Sequence, residues 1–131
     1  MPKEVITGVS KPSRSFPLSP GIRGGDYVFV SGQPGCPDEQ GRDVKGIAAQ
    51  TRHSLESIKK VLEAAGASLD DVVETTVYVS PEVTLDDYAE LNKVYTQYFP
   101  KDYPARAGLI VGFMYPDMLV EIRAIAYCPK R

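Results

Sequence analysis

Apolar residues in this chain recur with two periods, and the alternation between them predicts the elements. From Ile47 to Ala65, Ile47, Thr51, Leu55, Ile58, Leu62 and Ala65 step by three or four, drawing one face of a helix. Gly66 follows the last periodic position, where a helix stops. From Val72 to Val79 the period drops to two. Val73, Thr75, Val77 and Val79 alternate with Glu74, Thr76 and Tyr78, which predicts a strand with one buried face. Leu85, Tyr88, Asn92, Tyr95 and Phe99 then predict a second helix over 85–99, opened by Thr84 and Asp87 as a capping box and stopped by Pro100.

Tyr27 to Ser31 is a compact β-branched and aromatic run that reads as a strand, followed by a loop reaching Gly46. Glu4–Thr7 and Leu18–Arg23 are shorter strand candidates in a region punctuated by Pro12, Pro17, Pro20 and three glycines. Ala105–Val111 and Met118–Tyr127 complete the set, and their short connection predicts a hairpin. The order predicts an α+β fold, a mixed sheet with two helices packed on one face. Along the last strand, Val120, Ile122, Ala124 and Ala126 form an apolar row, whereas Leu119, Glu121, Arg123 and Ile125 form a mixed one. A mixed row suits a subunit interface that contains a polar site.

At 131 residues the length predicts one domain over 1–131. A net charge of −2 offers no basic excess for phosphates, so no nucleic-acid partner is expected. No apolar run is long enough to span a membrane, and Met1–Ser15 has no apolar segment of the secretory kind, so a cytoplasmic protein is expected. Two cysteines, Cys36 and Cys128, and one histidine, His53, cannot build a Cys/His zinc site without carboxylates, and no phosphate-binding glycine motif opens a helix. No metal or cofactor is expected.

Few residues remain as candidates for chemistry. Arg106 shares a strand face with Gly108 and Ile110, and a guanidinium beside a residue without a side chain leaves room for a carboxylate ligand; an ion pair is the other reading. In a hairpin centred between Phe113 and Met114, Glu121 lies opposite Arg106, either as its structural partner or as a carboxylate that orients water. Asn92 falls on the apolar stripe of the second helix, as a core amide or a ligand-facing one. Ser31-Gly32-Gln33 ends a strand, and Gly32 can turn a backbone N–H toward an anion or simply make a turn.

Taken in order along nearly the whole chain, Tyr27–Gln33, Gln50–Leu55, Ala64-Ala65-Gly66 with Asp71-Val72-Val73, Asn92–Tyr95, Tyr103–Arg106 and Val120–Ala126 resemble the reactive intermediate deaminase (RidA, YjgF-like) family. The resemblance implies a chorismate-mutase-like fold, a homotrimeric barrel with clefts between subunits, and cofactor-free hydrolysis of 2-imino or enamino acids, such as 2-iminopropanoate and 2-iminobutanoate, to 2-keto acids and ammonia. It places the carboxylate-binding arginine at Arg106, aided by the Gly32 N–H, the water-holding glutamate at Glu121, the helix asparagine at Asn92, and a carbonyl that meets the substrate nitrogen at Gly108. Two positions depart from the pattern. Leu18 stands where the family has a tyrosine, and Gly108 where it has a cysteine; with the Phe113–Pro116 turn, these point to a different or larger substrate. A small-carboxylate binding or chaperone-like module without turnover is the alternative, and an endoribonuclease a third reading that the acidic charge disfavours.

Overall fold

The computed structural model describes residues 2–9 and 16–130; Pro12 lies outside them. Six strands, β1 (Glu4–Val5), β2 (Gly21–Gly24), β3 (Tyr27–Pro34), β4 (Val72–Val79), β5 (Ala105–Ile110) and β6 (Val120–Tyr127), form one sheet in the order β1-β2-β3-β6-β4-β5. Only β4 and β5 run parallel; every other neighbouring pair is antiparallel. Helices α1 (Ile47–Ala64) and α2 (Leu85–Tyr98) cover one face, as the alternating pattern predicts.

The core lies between that face and the helices. Leu55, Ile58 and Leu62 of α1 and Leu91 and Val94 of α2 are buried with Val28, Val77, Val120, Ile122, Ala124 and Ala126 of the sheet. Both helix ends follow from local chemistry. Gly66 takes φ +80°, and the N–H groups of Gly66 and Ala67 return to the carbonyls of Glu63 and Leu62, closing α1 with a Schellman turn. Thr84 Oγ1 accepts from the Asp87 N–H and Asp87 Oδ2 accepts from the Thr84 N–H, so the expected capping box is present. Arg23, nearly fully buried, donates from Nη2 to the Ala65 carbonyl (2.9 Å) and from Nη1 to the Cys128 carbonyl (2.7 Å). It thereby ties the end of α1 to the chain beyond β6, with its charge at the negative end of the helix.

Three expectations are corrected. The hairpin between the last two strands does not form: β5 lies at the sheet edge, parallel to β4, and β6 inserts between β3 and β4. A helical crossover naturally delivers β5 parallel to β4, and the apolar inner row of β6 needs neighbours on both sides. Val73 does not join the buried row of β4. A register shift between Val72 and Glu74 turns Val72 inward and leaves Val73 45% exposed. On α2, Leu85 is 89% exposed, and the core stripe runs through Leu91, Val94 and Tyr95 instead. Tyr88 and Asn92 sit half-buried at its margin.

The face without helices carries Tyr27, Phe29, Leu109 and Tyr127, each more than two-fifths exposed. Both cysteines are free; burial pushes the Cys36 thiol up to about 11, so it is not poised as a thiolate nucleophile. Among the described residues, no helix is long and apolar enough to cross a membrane.

Candidate active site

Pairing across the sheet decides where each candidate side chain projects. Arg106 pairs with Thr75, which pairs with buried Ala124, so Arg106 leaves the sheet on the helix side. There α2 receives it. Arg106 Nη2 donates to Asn92 Oδ1 (2.7 Å) and to the Tyr88 hydroxyl (2.9 Å). The guanidinium carbon lies 4.5 Å from the Tyr95 ring centroid and 5.5 Å from that of Tyr88, within cation–π range of both. Tyr95 is fixed in turn by a 2.7 Å hydrogen bond between its hydroxyl and Thr75 Oγ1. Burial pushes the Tyr95 hydroxyl pKa up, against the opposing pull of that bond and of the arginine charge. Spacing explains the cluster: Tyr88, Asn92 and Tyr95 are four and three apart on one helix face.

Gly108 sits next on the same strand face. A Cβ built there would stand 2.9 Å from the Tyr88 hydroxyl oxygen, so this hydroxyl fills the room that the missing side chain leaves.

Glu121 and Gly32 form a second group. Glu121 pairs with Tyr78, next to buried Val77 and Val79, and therefore projects from the helix-free face. Its carboxylate lies against Gly32, where an added Cβ would be 2.7 Å from Oε2. Gly32 falls in the register shift between Val30 and Gln33, which brings this backbone close to β6. Burial raises the Glu121 pKa above its ordinary 4.5, and among the described residues no donor offsets this. Leu18 immediately precedes a segment that is hydrogen-bonded to Ser31, the neighbour of Gly32. The segment just after it is anchored by the Ser31 N–H on the Pro20 carbonyl and the Ser31 hydroxyl on the Ser19 carbonyl, with the Leu18 side chain 54% exposed.

Arg106 and Glu121 are thus not opposed across a hairpin. They lie two strands and three residues apart, about 14 Å by sheet spacing, and they project from opposite faces. One chain brings Arg106, Asn92 and Gly108 together, and separately Glu121, Gly32 and the Leu18 segment. Tyr88 and Tyr95 complete the first group; in the sequence both read as apolar members of a stripe. His53, the lone histidine, lies on α1, with Nδ1 3.0 Å from the carbonyl of Pro34, the residue paired with Glu121, and Nε2 3.5 Å from Glu39.

Residues 9–128 match the family model described as Endoribonuclease L-PSP. The chain belongs to the RidA/YjgF family. Among its RidA/YjgF relatives, a RutC family protein of Pyrococcus abyssi is 44% identical over 128 residues, covering 97% of this chain and 98% of that one. The 3-aminoacrylate deaminase RutC of Acinetobacter baylyi is 39% identical over 130 residues, covering 97% of this chain and 99% of the other. The RidA fold is matched as well. The crystal structure of RidA from the Antarctic bacterium Psychrobacter sp. superposes with a TM-score of 0.82 at 35% identity, covering 95% of this chain and 98% of that one. Two helices on a mixed six-stranded sheet are therefore the family architecture.

Proposed function

We propose that this RidA-family protein is a deaminase that hydrolyses small 2-imino or enamino acids to 2-keto acids and ammonia, working without a cofactor as a homotrimer. The observation that carries the reading is the Arg106 group. A charged guanidinium is held by Asn92, Tyr88 and two aromatic faces, yet among the described residues its Nε and Nη1 hydrogens have no acceptor, and side-chain-free Gly108 lies beside it. Such a group is ready for a carboxylate. The 39% identity to a protein named 3-aminoacrylate deaminase, whose named substrate is a small enamino carboxylate, supports the same class.

The chemistry asks little of the protein. An imine carbon is already electrophilic. Water adds to C2, its hydrogens pass to nitrogen, the carbinolamine C–N bond breaks, and ammonia leaves as the carbonyl forms. Arg106 fixes the carboxylate, the Gly108 carbonyl accepts from the substrate nitrogen, and Glu121 orients the water, takes its proton and returns it to the leaving nitrogen. The raised pKa of Glu121 suits a group that must both accept and release a proton. Because Arg106 and Glu121 project from opposite faces of one chain, this reading requires a cleft between subunits, with Glu121 and Gly32 of one copy facing Arg106 of the next. The exposed Tyr27, Phe29, Leu109 and Tyr127 supply an apolar face for that association.

Generating 2-iminobutanoate with a threonine dehydratase and following keto-acid release tests the proposal. The wild type should accelerate release above the spontaneous rate, and Arg106→Ala should lower kcat/KM by at least about 100-fold. No acceleration by the wild type overturns it. The same separation of the two groups favours one alternative, a chain that binds a small carboxylate through Arg106 without turning it over; calorimetry with 2-ketobutyrate beside the turnover assay separates the two. No nucleic-acid or membrane partner enters this reading.

A further inference from the structure

The Arg106 group contains a hydroxyl that the proposed reaction leaves unused. A guanidinium grips a carboxylate through two parallel N–H bonds, by Nη1 with Nη2 or by Nε with Nη2. Either grip needs a hydrogen of Nη2. Here Nη2 has two hydrogens and two acceptors, Asn92 Oδ1 and the Tyr88 hydroxyl. Neither parallel grip is available while these bonds stand. The Tyr88 hydroxyl, having accepted from Arg106, keeps its own hydrogen, and among the described residues nothing accepts it. Accepting from a cation also polarises an O–H and makes it a better donor.

We propose that Tyr88 is a substrate-binding residue, its hydroxyl supplying the second prong of the carboxylate clamp: one carboxylate oxygen rests on Arg106 Nη1 or Nε, and the other on the Tyr88 O–H. This rests on the reading of Arg106 as the carboxylate anchor. The position of the hydroxyl depends on Gly108, since an added Cβ would lie 2.9 Å from the hydroxyl oxygen but 4.0 Å from the ring carbon that bears it. Any side chain at 108 therefore displaces the hydroxyl while leaving room for a bare ring. Gly108 and Tyr88 act as one device, with the room given up at 108 taken by a donor from α2.

The test is a mutant cycle over Tyr88→Phe, Gly108→Ala and the double variant, with Arg106→Ala in parallel, reading kcat and KM for 2-iminobutanoate and Kd for 2-ketobutyrate. Tyr88→Phe should raise KM and Kd by about 10- to 100-fold, the loss of one hydrogen bond to a charged group, with kcat nearly unchanged. Gly108→Ala should weaken binding similarly in the wild type but cost almost nothing further beside Tyr88→Phe. A merely structural glycine would add its cost in both backgrounds. Unchanged or tighter binding in Tyr88→Phe overturns the proposal, since the freed Nη2 hydrogen would then restore an ordinary grip; equal costs of Gly108→Ala in both backgrounds also overturn it. If Arg106→Ala abolishes binding while Tyr88→Phe leaves it unchanged, the two-prong clamp fails and the Arg106 reading stands. If the wild type neither binds nor turns over, both fall.

Discussion

Replacing Gly32 by alanine isolates the position of the Glu121 carboxylate from everything else in the fold. The new Cβ would stand 2.7 Å from Glu121 Oε2 and 3.0 Å from its Cδ, roughly 1 Å inside the ~3.5–4.0 Å at which nonbonded heavy atoms rest. The three nearest atoms it meets all belong to the Glu121 side chain, whose end can swing away. Gly32 has no positive φ, so alanine adopts its backbone without strain and removes freedom from the unfolded chain, a gain of about 0.4–1 kcal/mol. Stability should change little, but the carboxylate must move by about 1 Å, a displacement that can cost roughly 100-fold in rate. Thermal unfolding of Gly32→Ala should fall within a few degrees of the wild type, while kcat/KM for 2-iminobutanoate drops by about 100-fold. The contrast is Gly35→Ala, whose Cβ would meet the Val120 carbonyl oxygen at 2.9 Å and buried Gln50 at 2.6 Å, and which should unfold early instead. Wild-type turnover by a well-folded Gly32→Ala protein would refute a role for Glu121 at its observed position.

Three further outcomes follow from the described contacts. Glu121 must be ionised to accept a proton from water, and burial raises its pKa, so kcat/KM should fall on acidification at a pH above 4.5, and Glu121→Gln should abolish activity and with it this limb. In stability the sign is opposite: the folded chain holds this proton more tightly than the unfolded one, so the contribution is complete below 4.5 and lost as pH rises through the raised value, and Glu121→Gln should gain on the wild type between acid and neutral pH in melting curves. Gln50, 2% exposed, donates to the Val44 and Asp117 carbonyls and accepts from the Leu119 N–H; Gln50→Leu should cost about 3 kcal/mol or more in urea unfolding, since it strands all three backbone groups.

Local signals in the sequence carried far. Val72–Val79, both helices, the Thr84–Asp87 cap and the Gly66 stop depend on neighbours within a few residues, and all are present where period and capping chemistry put them. The partner of β6 depends on residues from both ends of the chain, and no local pattern encodes that a final strand slides between two earlier ones. The hairpin register that set Arg106 opposite Glu121 failed for that reason, although the division of β6 into an apolar and a mixed row was correct. Asn92 was legible because an amide on an apolar stripe needs a partner, and Arg106 provides it. Tyr88 was not, since a tyrosine on a stripe reads as core until its hydroxyl is seen against Gly108.

The central place of β6 also governs how the sheet can be assembled in time. Its two neighbours, β3 and β4, are never paired with each other, so until residues 120–127 arrive the molecule consists of a three-stranded piece and a two-stranded piece with no hydrogen bond between their strands. Each piece exposes a raw edge, a template for promiscuous pairing. During synthesis the nascent chain therefore waits on its last strand for closure, and its folding is dominated by contacts distant in sequence, the slow kind. A ribosome that stalls before residue 120 leaves two sticky half-sheets rather than a smaller version of the protein.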